Sequence, residues 1–116
     1  FTIFLERKVS IMYLAYGYVK LFFPYSSSLK EKRKVINSII DRIRKRFNVS
    51  ISEVEHQDLW QRSTIAFSAI GSGYPELELI TNAVKETFYN YAGDLEITEL
   101  KHDIQKLDMY PQSILP

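Results

Sequence analysis

The sequence contains no cysteine, which excludes disulfides, thiolate nucleophiles and cysteine-ligated metals. It has no uncharged apolar run long enough to cross a bilayer, so a cytoplasmic protein with no membrane partner is expected. Glycine and proline occur four times each, too rarely for a linker-rich or low-complexity chain. Tryptophan occurs once, at Trp60, and histidine twice, at His56 and His102. The histidines have neither the i, i+4 nor the paired spacing of metal ligands, so they read as surface or turn residues and no metal is expected. What is present is 116 residues, 46% hydrophobic and 14% aromatic, enough for one core in one domain.

The net charge of +1 hides a segregation of sign. Between Ser28 and Phe47 eight basic residues, Lys30, Lys32, Arg33, Lys34, Arg42, Arg44, Lys45 and Arg46, face only Glu31 and Asp41. That segment carries +6 and the rest of the chain −5. Solubility needs no such separation, whereas a polyanionic partner or a self-complementary assembly would use it.

The chain does not start with methionine, and residues 1–11 read as an N-terminal extension. The extension is either an artefact of expression or start-site choice, or a lengthening of the first strand. Its apolar stretch is too short for a secretory signal. Residues 12–23, MYLAYGYVKLFF, form an expected strand that stops at Pro24. Both of its faces are largely apolar, with Leu14, Tyr16, Tyr18 and Phe22 on one and Tyr13, Ala15, Val19, Leu21 and Phe23 on the other. Ser28-Leu29-Lys30-Glu31 is a capping-box pattern opening a helix over 29–47. Leu29, Ile36, Ile40, Ile43 and Phe47 lie within about 80° on its helical wheel, with Lys30, Lys34, Asn37, Asp41 and Lys45 opposite. Lys32 and Arg33 flank the apolar stripe, and their stems are expected to cover core.

A strand follows over 48–55, with Val54 out of step as at a bulge, and then a third strand over 62–70, making a hairpin. Pro75 opens a second helix with Leu77, Ile80, Val84, Phe88 and Tyr91 inward. Asp94 to Ile104 forms a last strand, residues 106–116 form a C-terminal tail, and its end from Tyr110 is expected to be loose. The order βαββαβ predicts an α+β, ferredoxin-like sandwich: a four-stranded antiparallel sheet with two helices on one face. The domain spans 12–105, and the other sheet face stays bare unless a partner covers it.

Three motifs, SLKEKR at 28–33, RFNVS at 46–50 and QDLWQR at 57–62, together resemble the YlxP-like family of small bacterial proteins. The resemblance covers residues 12 to 105, and the extension departs from the family pattern. It implies a ferredoxin-like fold and no established activity, with genes lying among those for translation initiation and ribosome maturation.

On the residues alone, Lys30, Lys34, Arg44 and Lys45 form a basic ridge able to neutralise phosphates, with Arg62 as a further candidate contact. The plain alternative is a solvated helix surface. Leu14, Tyr16, Tyr18 and Phe22 are expected to meet a second copy of the chain; base stacking there is a weaker option, because strand three lacks the RRM pattern and the ridge faces the other way. Trp60 is expected to be buried, anchoring its turn against a helix end, with stacking beside a phosphate-binding Arg62 as the alternative.

Catalytic groupings are incomplete. Ser26, Ser27 and Ser28 lack a glycine-rich anion loop, unlike the acylphosphatases that share the architecture, and Glu53, Glu55 and Asp58 read as a solvated edge. The expectation is therefore a non-enzymatic homodimer without cofactor, acting on RNA or a ribosomal particle, or else a protein-interaction or small-ligand regulatory module of the same fold.

Overall fold

Aliphatic and aromatic residues dominate β1 (Ile11–Phe22), an interior strand of the sheet with both edges paired. The computed structural model describes residues 10–110; residues 1–9 and 111–116, most of the expected extension and part of the expected tail, lie outside them. The remaining elements are α1 (Leu29–Arg46), β2 (Ser50–Glu55), β3 (Arg62–Gly71), α2 (Tyr74–Tyr89) and β4 (Glu96–Asp108). The strands form one antiparallel sheet in the order β2-β3-β1-β4. This is the expected ferredoxin-like arrangement.

One sheet face carries the core. Ala15, Val19 and Leu21 of β1, with Ile51 of β2 and Ile65 and Phe67 of β3, are buried under Ile36, Ile39, Ile40 and Ile43 of α1 and Leu77, Val84 and Phe88 of α2. Burying a side chain of this kind contributes about 1.5–3 kcal/mol, so the shared apolar stripe holds both helices on the same side.

Local signals place the ends of α1. Glu31 N–H donates to the Ser28 hydroxyl at 3.1 Å, as in a capping box. The Glu31 carboxylate reaches one residue further back than the simple box, accepting from Ser27 N–H and Ser27 Oγ, both at 2.9 Å. At the end of β2 the register with β3 shifts between Glu53 and Glu55, so Val54 is the bulged residue. Gly17 allows β1 and β4 to approach, since a Cβ there would lie 2.5 Å from the Lys101 carbonyl oxygen.

The last strand differs from expectation. It begins at Glu96 and runs to Asp108, so residues 106–108, assigned to the tail, pair with β1. Edge strands of mixed polarity lack the alternation that marks a half-buried strand, and here the ladder to β1 maintains the extended backbone.

Candidate nucleic-acid interface

The first turns of α1 contain a cation that is no part of any outer ridge. Lys32 is 0% exposed, and its Nζ donates to Glu53 Oε2 at 2.9 Å, to the His56 carbonyl at 2.8 Å and to the Arg62 carbonyl at 3.0 Å. An ammonium has three donors, and each one finds an acceptor. Ser63 Oγ donates to the same Glu53 oxygen at 2.7 Å, completing the carboxylate's setting. Lys32 thus ties α1 to both ends of the loop joining β2 to β3. Sequence reasoning placed its stem over the core and missed its head, whose acceptors lie 21 to 30 residues away.

Lys30, Lys34 and Lys45 are exposed on the outer side of α1, as expected of a ridge. Arg44 also has a structural role, because its Nη2 donates to the Ile51 carbonyl at 2.8 Å and braces edge strand β2. Arg42 lies over the Tyr91 ring and Arg46 over Phe47. Among the described residues, no exposed cation of α1 forms an ion pair. Asp41 shares this face and Glu31 the first turn, but neither forms an ion pair with the ridge among the described residues.

The loop at 56–62 corrects the expectation for Trp60. Trp60 is 55% exposed, beside an exposed Leu59, and does not anchor the turn against a helix. Backbone bonds do that work instead: Leu59 N–H donates to His56 O at 3.1 Å, and Phe23 N–H to Gln61 O at 2.9 Å. Gln61 Nε2 adds contacts to the Pro24 and Ser26 carbonyls at 3.3 and 3.4 Å. His56 has φ 66°, a left-handed conformation that turns its carbonyl toward Lys32. Phe22, Asp58, Trp60 and Arg62 line a surface cleft of about 450 Å³, where the Arg62 guanidinium lies 4.8 Å from the Phe22 ring centroid. Arg62 accordingly belongs to this end of the sheet and not to the ridge.

On the open sheet face, Leu14, Tyr18 and Phe22 are half-buried and Tyr16 is exposed. Their β4 neighbours are polar. Tyr16 OH accepts from Gln105 Nε2 at 3.0 Å and lies 3.4 Å from Asp103 Oδ2, while Tyr18 OH donates to Glu99 Oε2. That bond, and partial burial, raise the Tyr18 pKa; the same bond, with Lys20 and Lys101 nearby, lowers that of Glu99. Carboxylates beside both tyrosines oppose a phosphate backbone and weaken the base-stacking option on this face.

Among the described residues no cluster of three or more metal-ligating side chains converges, and no helix is long and apolar enough to cross a membrane.

Comparison with known proteins agrees with the motifs. A stretch of 53 residues, 46% of this chain, is 45% identical to the uncharacterized protein YlxP of Bacillus subtilis (strain 168) and spans 58% of that protein's length. A de novo designed protein with ferredoxin fold, LFR1 1, is similar over 85% of this chain and 87% of its own at 10% identity, with a TM-score of 0.44. A C-terminal segment of the alpha subunit of aIF2 from Pyrococcus abyssi is similar over 95% of this chain and 57% of its own at 14% identity, also with a TM-score of 0.44. The family model described as "Protein of unknown function (DUF503)" matches residues 14–102, so the chain belongs to that family, whose members include YlxP-like proteins.

Proposed function

We propose that the protein is a non-catalytic, cytoplasmic, homodimeric RNA-binding protein that contacts RNA or a ribosomal particle through the outer face of α1. The observation that carries this reading is the row of exposed α1 cations without an acidic partner among the described residues. Cations in the first turn of a helix oppose its dipole, each by about 0.3–1 kcal/mol. Lys32 is explained by the loop it holds; Lys30, the first-turn cation, has no such internal role, and Lys34 continues its row one turn on. Release of counterions from a polyanion supplies the compensating free energy.

The test replaces Lys30, Lys34 and Lys45 by glutamine and leaves Arg44, which braces β2, in place. Co-sedimentation with ribosomal particles and binding to their extracted RNA are measured at graded salt. The variant should fold normally and bind more weakly, with its salt slope reduced by about 0.7–0.9 for each phosphate no longer neutralised. Wild-type protein without salt-sensitive binding would remove the RNA reading and leave the interaction module. In that case the open face, with its cleft between Tyr18, Val54 and Thr64, becomes the surface to probe.

A further inference from the structure

Trp60 and Leu59 are exposed apolar side chains on a loop held by hydrogen bonds at several points. A buried ammonium binds both its ends, at His56 and Arg62, and Gln61 joins it to the turn at 24–26. That turn carries Tyr25, which is 81% exposed. Two clefts therefore flank one seam. Phe22, Trp60 and Arg62 line the first with Asp58; Tyr25 and Lys34 line the second with Glu31 and Asp94, so each cleft sets a cation and an aromatic ring beside carboxylates that accept from base amines. Rigid presentation of aromatic side chains reduces the ordering entropy of binding.

We infer that this end of the molecule is a stacking site for single-stranded RNA, in which a base lies on Trp60 and the backbone passes Arg62 toward Tyr25 and Lys34. The inference rests on the RNA reading above and adds to it the form of the nucleic acid. Exposed aromatic side chains, each with a single cation beside it, suit unpaired bases, since every base has a stacking face. Asp58 lines the same cleft as Trp60. Its carboxylate repels a phosphate and accepts from a base amine, so the base and not the backbone enters there. The seam also joins two surfaces that the fold otherwise separates, the ridge of α1 and the open sheet face.

Because Trp60 is the sole tryptophan, its emission reports directly on the site. Wild-type emission is followed on titration with an adenine-rich RNA strand and with the same strand annealed to its complement; the affinities of wild type, Trp60→Leu and the Lys30, Lys34 and Lys45 glutamine variant are compared by the fluorescence anisotropy of the strand carrying a fluorescein label. The single strand should quench the emission saturably and more strongly than the duplex. Trp60→Leu should keep the wild-type melting temperature and lose about tenfold in affinity, the order expected for one stacked base. Salt-sensitive binding that leaves the emission unchanged, with Trp60→Leu binding as wild type, would overturn the stacking site alone. Absence of salt-sensitive binding would overturn the RNA reading together with it. Quenching by ribosomal proteins freed of RNA, and not by the strand, would overturn it in favour of a protein contact.

Discussion

Lys32 shows how far one side chain can differ from its neighbours in a run that looks uniform. Lys30, Arg33 and Lys34 are exposed, so Arg33 does not cover core as expected, while Lys32 is fully buried against Glu53, His56 O and Arg62 O. Removing one partner of a buried ion pair leaves the other without compensation, at about 3–5 kcal/mol. Lys32→Met should therefore lower stability by that order in a denaturant titration, whereas Lys30→Met should change it by less than about 0.5 kcal/mol. Lys32→Arg should not restore the loss, because a planar guanidinium cannot direct its donors to three acceptors grouped around a point. Equal stability of the two methionine variants would show that the ammonium does not hold the loop.

At the scale of elements, the ends of α1 are legible in the sequence because their signals are local. Ser28 and Glu31 mark its start within one turn, and the charge on Glu31 is part of that mark. Hydrogen bonds from Ser27 hold the Glu31 pKa below the ordinary carboxylate value. A depressed pKa contributes stability at neutral pH, lost as pH falls through the folded-state value. Acidification below the usual carboxylate range should accordingly lower the melting temperature, and Glu31→Gln should reduce that acid sensitivity while leaving the fold intact. An unaltered acid slope in the variant would show that the cap does not depend on charge. Pro75 and the bulge at Val54 are legible for the same local reason. The far end of β4 is not, since Lys106 and Asp108 are held by pairing with Tyr13 and Ile11 and not by a pattern of their own. Trp60 misleads on the same ground. Its size suggests burial, but the loop is fixed by backbone, Gln61 and Lys32 contacts that leave the ring outside.

For the whole molecule, the open sheet face is the surface a second copy would cover under the proposed dimer. Apolar rings of Tyr16, Tyr18 and Phe22 lie across it, with β4 carboxylates along one side. Burial of such surface contributes about 25 cal/mol per Å² of apolar area. Wild-type protein should show a dimer mass at tens of micromolar in sedimentation, and Tyr16→Glu should give a folded monomer by setting like charges beside Asp103. A monomeric wild type would exclude this assembly. The helix-borne charge described above also makes the molecule an electric dipole despite a net charge of only +1. Under the proposed contact with RNA, turning in the field of the anionic chain would precede contact, so the ridge would govern how often encounters begin in the right orientation and the stitched loop how long they last.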